Sequence, residues 1–201
     1  MKEYVIKRIA KVPYWEQIET LSIDIPYLNS PDFYAAWAQI AYDDESLHVH
    51  LFCKEPETRA VEHGPLGSPC EDCCLEFFFS PMEKDSRYFN IEYNRNGCMY
   101  LGFASDLSTL VRLIPEGDGN LFSPVIRDLA DGWEIFYTVP FEFIRRFFPD
   151  FTVYHGKKMR ANCYKCADLT EPPHYFSWNQ VTGEALSYHQ PECFGTMIFS
   201  E

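Results

Sequence analysis

The sequence carries a strong hairpin signal, the dipeptide Asn96-Gly97, between two strand-like segments. The first is residues 88–94 (YFNIEYN), where apolar and polar side chains alternate, and the second is residues 98–103 (CMYLGF). Two-residue hairpin turns need positive φ, which Asn and Gly both tolerate, so the pattern predicts two antiparallel strands joined by a tight turn.

A third strand is predicted just before this hairpin, at residues 74–80 (CLEFFFS), and it ends at Pro81. Its successive side chains fall on opposite faces, with Leu75, Phe77 and Phe79 on one face and Cys74, Glu76 and Phe78 on the other. The same period places Asn90 and Glu92 opposite the apolar side chains of residues 88–94. The three segments predict an antiparallel meander with a polar face.

The rest of the chain continues as short strands between turn signals. Strands are predicted in residues 37–53 around a turn at Asp43 and Asp44, and at residues 133–140, 158–165 and 194–200; further turns are predicted at residues 117–120 and 131–132, and a long loop at residues 54–72. Residues 140–150 have apolar side chains at helical spacing and a Pro near each end, which predicts one short helix. Roughly nine or ten strands of this kind favour an all-β fold, a two-sheet antiparallel β-sandwich with one short helix.

Composition limits the number of domains and the class of partner. No linker divides the 201 residues, so we predict a single domain over residues 1–201. The formal net charge of −13 disfavours nucleic acid and anionic membranes, because both attract clusters of Lys and Arg. Neither a signal peptide nor a run of about 18 apolar residues is found, so we expect a cytoplasmic protein without a membrane span. Its eight cysteines are expected to be free thiols.

Several segments occur together in one order and spacing. They are residues 71–81 (EDCCLEFFFSP), 88–97 (YFNIEYNRNG), 160–179 (RANCYKCADLTEPPHYFSWN) and 188–200 (YHQPECFGTMIFS). With residues 42–52 and 132–144 they resemble the carbohydrate-binding family 9-like proteins, relatives of the family 9 carbohydrate-binding modules of xylanases. The resemblance implies a β-sandwich that binds a saccharide or oligosaccharide in a cleft, performs no chemistry and uses no cofactor.

The resemblance also implies roles for individual residues. In the xylanase modules two aromatic rings clamp a terminal sugar, while carboxylate, amide and basic side chains bond its hydroxyls. By similarity, Glu76 lies at the cleft carboxylate, Asn90 at a position that is usually basic, and Asn162 at the cleft amide. Tyr188 lies where one clamping ring is found, and Cys70 stands in place of the other.

These residue types suit a sugar for physical reasons. A pyranose has an apolar C–H face and a rim of hydroxyls, so its site needs an aromatic platform and fixed hydrogen-bonding groups. Polar side chains on neighbouring strands provide rigid placement, and a loop before the last strand can close one wall. The predicted sugar contacts are Glu76, Asn90, Glu92, Arg160, Asn162, Tyr188 and His189. On strand faces alone, the same polar residues would also suit a solvent-facing surface.

An enzymatic function is the first alternative. Glycosidases work with two carboxylates, and Glu76 and Glu92, on adjacent predicted strands, are the one pair that the sequence nominates. No nucleophile elbow, phosphate-binding loop or dinucleotide fingerprint is present. No catalytic residue is therefore assigned.

Metal or haem binding is the second alternative. The sequence has two C-x-x-C pairs, at residues 70–73 and 163–166. Positions i and i+3 of a strand point to opposite faces, so the two thiols of a pair could bind one zinc ion only if a turn lay between them. His48 and His50 share a strand face, where a solvent-facing pair is expected. Haem would need an axial ligand, for which Met82 and Met99 are the candidates. No metal ligand is assigned.

Overall fold

The computed structural model describes residues 1–31, 35–55, 59–116, 121–183 and 186–201, and the turn predicted at residues 117–120 lies outside them. The strands are β1 (Glu3–Arg8), β2 (Leu21–Ile23), β3 (Ile25–Pro26), β4 (Ala35–Tyr42), β5 (Ser46–Lys54), β6 (Cys74–Ser80), β7 (Tyr88–Asn94), β8 (Met99–Ala104), β9 (Val111–Arg112), β10 (Val125–Leu129), β11 (Gly132–Pro140), β12 (Lys158–Ala167), β13 (His174–Ser177) and β14 (Gly195–Phe199). One α-helix, α1 (Phe141–Phe147), follows β11, and short 3-10 turns occur at Trp15–Gln17, Pro69–Glu71, Leu107–Thr109 and Pro191–Cys193. None of the helices in these described ranges has the length and hydrophobicity needed to cross a bilayer.

The strands form one curled, mixed sheet, a half-barrel, in the order β10-β11-β5-β4-β1-β14-β12-β6-β7-β8-β9. Its seam is β1, whose residues 3–6 pair with β14 and whose residues 7–8 pair with β4, both in parallel. The all-β class with one short helix is confirmed. The two-sheet antiparallel arrangement is not, because β1 joins the two halves and pairs in parallel with strands far away in the sequence, which leaves no local hairpin signal.

The core lies between the two halves of the curled sheet. Alternate side chains of β5 and β6 fill it, namely Leu47, Val49, Leu51, Leu75, Phe77 and Phe79, all fully buried. Helix α1 covers one end, where Phe143 and Phe147 each pack 5.1 Å from Phe89 between ring centroids. Because one side of β6 and β7 is committed to this core, their other side is available for a site.

The predicted meander positions that other side. Strands β6, β7 and β8 pair in antiparallel order, and Gly97 takes a φ of +77° in the turn between β7 and β8. Strand β12 pairs with the opposite edge of β6. Four adjacent strands, β12-β6-β7-β8, therefore present one continuous face away from the core.

A buried ion cluster joins β12 and β13 to the end of β5. Lys165 Nζ lies 3.2 Å from Glu55 Oε2, and His174 Nε2 lies 2.9 Å from Glu55 Oε1, with each side chain at most 1% exposed. Burial opposes ionisation of Glu55, but Lys165 and His174 lower the pKa of its carboxyl to about 2. The Lys165–Glu55 ion pair and the contact between His174 and Glu55 thus hold three chain segments together.

Candidate functional site

The outer face of β12-β6-β7-β8 carries rows of side chains aligned across the strands. One row runs Tyr164, Glu76, Glu92 and Tyr100. Because neighbouring strands lie about 4.8 Å apart, the two carboxylates face each other between two tyrosines. The predicted placement of Glu76 and Glu92 on one face, opposite the core, is confirmed.

The next row places an amide beside these carboxylates. It runs Asn162, Phe78, Asn90 and Gly102. Asn90 Nδ2 donates to Glu92 Oε1 at 2.7 Å. A Cβ on Gly102 would fall 1.8 Å from Asn90 Oδ1, so the glycine leaves the space that the carboxamide occupies.

The two carboxyl groups are buried and electrostatically unusual. Glu76 is 2% exposed and Glu92 is 6% exposed. Burial, followed by repulsion from Glu92, raises the pKa of Glu76 well above its usual range. Burial raises the pKa of Glu92 to about 7, although the hydrogen bond from Asn90 opposes the shift. The face therefore holds carboxyl groups that are protonated more readily than those in water.

Two acceptor atoms on this face have no hydrogen-bonding partner. They are Asn90 Oδ1 and Glu92 Oε2, which are buried without a donor among the described residues. Buried polar atoms in proteins are nearly always paired. These two oxygens are thus acceptors on this face that the described part of the chain leaves without a donor.

Two thiols lie beside the carboxylates. Cys74 and Cys166 are cross-strand partners, and Cys166 Sγ donates to Glu76 Oε1 at 2.7 Å. The two Sγ atoms and a Glu76 oxygen lie within 4.8 Å of one another. Sequence reasoning missed this cluster. Its signal is the C-x-E spacing of residues 74–76, which puts a thiol and a carboxylate on one strand face.

The ring of Tyr188 is buried, which corrects the expectation of an exposed platform. It is 7% exposed and stacks on Tyr164 with 4.0 Å between the centroids. Its hydroxyl donates to the carbonyl oxygens of Lys165 and Phe176 at 3.1 and 3.4 Å. The stack and these two carbonyls hold the ring against the sheet. A contact between Tyr188 and a sugar stays a prediction.

Asn162 and Arg160 share the face, as predicted, but lie apart from the carboxylates. Asn162 Oδ1 accepts from the Asn179 N–H and its Nδ2 donates to the Asn179 carbonyl, both at 2.8 Å. This fully buried amide therefore anchors the chain after β13. Arg160, paired with Ser80, lies two rows from Glu76, about 13 Å along the strand.

His189 lies against the same face through the loop before β14. Its Nδ1 is 2.8 Å from the Tyr88 hydroxyl, and its ring centroid is 5.3 Å from that of Phe78. Burial lowers the pKa of His189 to about 4. The neutral imidazole can therefore accept a hydrogen bond from the Tyr88 hydroxyl, which holds the loop before β14 against the sheet.

The His189 environment predicts acid sensitivity. An unfolded histidine titrates near pH 6.5, so between pH 6.5 and 4 the unfolded chain binds the extra proton, and stability falls as the pH falls through this window. We compare the native protein with His189→Gln, which keeps an acceptor for Tyr88 but cannot be protonated. Between pH 7 and pH 5 the native protein should lose about 1–2 kcal/mol more unfolding free energy than this variant. Urea denaturation at both pH values measures this. Equal losses would contradict it.

The rim of the face has residues that sequence reasoning did not select. The Arg112 guanidinium lies 4.5 Å from the centroid of the half-buried Tyr100 ring. On the other side, the Asp168 carboxylate interacts with the Tyr175 hydroxyl and the Cys70 thiol. Tyr100 and Tyr175 both interact electrostatically with the partly exposed Cys70, the position that the resemblance gives to a clamping ring.

The two C-x-x-C pairs do not form one site. Cys163 lies in the core between the sheet halves, whereas Cys166 lies in the cluster on the outer face. Cys73 accepts the Arg59 backbone N–H at 3.2 Å. All eight cysteines are free, as predicted.

The histidines of β5 have separate partners, and the expectation of a solvent-facing pair is wrong. His48 Nε2 lies 2.9 Å from Asp43 Oδ2. His50 is 7% exposed and lies between Gln39 and Glu134, at 2.9 and 3.0 Å. The N-terminal segment covers this surface, which a local strand pattern does not reveal.

Comparison with known proteins gives a family and a fold. The sequence profile of carbohydrate-binding family 9 matches residues 9–116 and 122–199. No match was found among curated proteins. The crystal structure of a candidate carbohydrate-binding protein from Bacteroides uniformis is similar to this chain at 27% identity and a TM-score of 0.81, with 99% of each chain covered.

Two further structures are of a family 9 module from Caldicellulosiruptor kristjanssonii. The complex with glucose has 15% identity and a TM-score of 0.67, covering 99% of this chain and 96% of that one. The complex with cellotriose has 15% identity and a TM-score of 0.65, covering 99% and 94%. At this identity the likeness is one of fold.

Proposed function

Because this chain belongs to carbohydrate-binding family 9, we propose that it binds a saccharide without chemical turnover on the outer face of β12-β6-β7-β8. The family match over nearly the whole chain is the observation that carries the proposal. The fold-level neighbours hold glucose and cellotriose, so glucose and short glucose oligomers are the first ligands to consider.

Hydrogen bonding on this face suits sugar hydroxyls. Glu92 Oε2 and Asn90 Oδ1 are adjacent acceptors without a donor among the described residues, and each can accept an O–H. Glu76 is engaged with Cys166 through Oε1 and supports the pair from the neighbouring strand. We assign the principal sugar contacts to Asn90 and Glu92.

Aromatic contact comes from the rim in this proposal. Tyr100 is aligned with Glu92 across the strands and is half-buried, with Arg112 against its ring. A ring in this setting can pack against the C–H face of a pyranose beside its hydroxyl contacts. Tyr188, stacked behind Tyr164, then acts as a support of the site.

Two observations favour binding over hydrolysis. A retaining glycosidase needs one ionised nucleophile and one protonated acid. Here the pKa values of Glu76 and Glu92 are both raised, and Glu76 accepts a hydrogen bond from a thiol. We therefore propose no catalysis; release of reducing sugar from cellotriose, lost in Glu76→Gln, would reverse this conclusion.

Titration calorimetry with glucose and cellotriose tests the proposal. We expect dissociation constants between about 1 μM and 1 mM for at least one ligand. Asn90→Ala and Glu92→Gln should each weaken binding by about tenfold, the effect of losing one buried hydrogen bond. Glu142→Gln, on the exposed face of α1, is the matched control and should bind as the native protein does. Absence of heat with both sugars at about 10 mM, roughly ten times the weakest of these constants, would contradict the proposal.

A further inference from the structure

The cluster of thiols and carboxylate beside the proposed sugar contacts has the composition of a metal site. Cys74 and Cys166 face each other on β6 and β12, and Glu76 is the next residue on the same face of β6. All three are at most 3% exposed. Two sulfur atoms and one oxygen lie within 4.8 Å of one another, and each comes from a strand in the middle of the sheet.

The spacing suits a tetrahedral, thiophilic cation. Zinc binds thiolate sulfur at about 2.3 Å and carboxylate oxygen at about 2.0–2.2 Å, which places ligand atoms of a tetrahedral site about 3.5–3.8 Å apart. The two Sγ atoms and the Glu76 oxygen already lie within 4.8 Å of one another, which is slightly more than this spacing. The pairing of β6 with β12 holds the three residues on adjacent strands in fixed register.

The electrostatic surroundings of the cluster also favour a cation. Glu92 faces Glu76 across β6 and β7, yet its Oε2 is buried and has no donor among the described residues. Glu92 therefore places a second buried carboxyl group next to the cluster, and a cation at the cluster would balance the charge of these groups when they are ionised. The half-buried Cys70 borders the cluster, since Cys166 Sγ donates to its carbonyl at 3.8 Å.

We propose that Cys74, Glu76 and Cys166 bind one thiophilic divalent cation, of which Zn²⁺ is the representative, with the fourth position open towards Cys70. Binding replaces the thiol protons of Cys74 and Cys166, which pass to solvent, by two metal–sulfur bonds. The hydrogen bond between Cys166 and Glu76 is lost in the same step. The cation would fix the part of the outer face next to Glu92, and this inference does not depend on sugar binding.

Metal titration of the reduced full chain tests the proposal. The protein is purified with a chelator and reductant, mixed with Zn²⁺ or Co²⁺, and desalted. We expect one metal ion per chain by elemental analysis, and a sulfur-to-cobalt charge-transfer band with Co²⁺. Cys166→Ala should weaken Co²⁺ binding at least tenfold and reduce this band, and Glu76→Gln should weaken binding without abolishing the band.

Cys163→Ala is the matched control, because Cys163 is on the same strand and fully buried but lies on the core side. It should bind Co²⁺ as the native chain does, and circular dichroism checks that each variant is folded. The proposal is overturned if the native chain retains no metal, if Cys166→Ala binds equally well, or if the purified chain carries a Cys74–Cys166 disulfide that persists under reductant. Sugar binding is measured separately on metal-free protein, so that failure of the metal proposal can be distinguished from failure of the proposed sugar binding.

Discussion

Lys165→Met should lower the free energy of unfolding by about 3–5 kcal/mol, because it removes one partner from a buried ion cluster. The Lys165 ammonium lies 3.2 Å from Glu55 Oε2 and 3.0 Å from His174 Nε2 in a region that is almost fully buried. Without Lys165, the Glu55 carboxylate keeps His174 and loses its principal counter-charge. Urea or guanidinium denaturation followed by tryptophan fluorescence measures the loss.

Two further variants separate this mechanism from general damage to β12. Lys158→Met, at the exposed start of the same strand, should change stability by no more than about 0.5 kcal/mol. The double variant Lys165→Met with Glu55→Gln should be more stable than Lys165→Met alone, since the carboxylate left without its main partner is then removed. If the double variant loses as much unfolding free energy as Lys165→Met and Glu55→Gln lose together, Lys165 and Glu55 do not act as an ion pair.

Gly102→Ala should destabilise the protein by about 2–3 kcal/mol and weaken sugar binding by at least about tenfold. The added Cβ would fall 1.8 Å from Asn90 Oδ1 and 2.9 Å from Leu110 Cδ1, so the Asn90 carboxamide must leave its place beside Glu92. Overpacking of this kind in a closely packed site typically costs about 1–3 kcal/mol. Thermal unfolding and calorimetry with glucose or cellotriose measure the two effects.

The second variant for this position is the double change Asn90→Ala with Gly102→Ala. With the carboxamide gone, the new methyl group meets chiefly the flexible end of Leu110. We expect the double variant to be more stable than Gly102→Ala by about 1–2 kcal/mol, although still weak in sugar binding. Equal stability of these two variants would show that the carboxamide is not the obstacle.

Local periodicity predicted the elements that position the site. Alternation along residues 74–80 and 88–94 placed Glu76, Asn90 and Glu92 on one face, and Asn96-Gly97 predicted the hairpin that brings Tyr100 opposite Glu92. These are relations between neighbours in the sequence. A period of two and a turn type are enough to determine them.

Relations between distant segments were not accessible in the same way. The parallel pairing of β1, the meeting of Cys74 with Cys166 and the stacking of Tyr188 on Tyr164 all depend on the complete sheet. The burial of Tyr188 was missed because a loop that packs back over a strand leaves no periodic signal. The family resemblance suggested which residues belong to the site but not how deeply this chain buries them.

The seam strand has a consequence for biosynthesis. Glu3 lies beside Thr196 and Ile6 beside Phe199, so the first and the last strand of this fold are neighbours although about 190 residues separate them. During synthesis, residues 7–8 of β1 can meet β4 early, but residues 3–6 must wait until β14 has emerged. Contacts of such high sequence separation slow folding, and until β14 is made the edges of β1 and β12 between which it lies lack their partner strand.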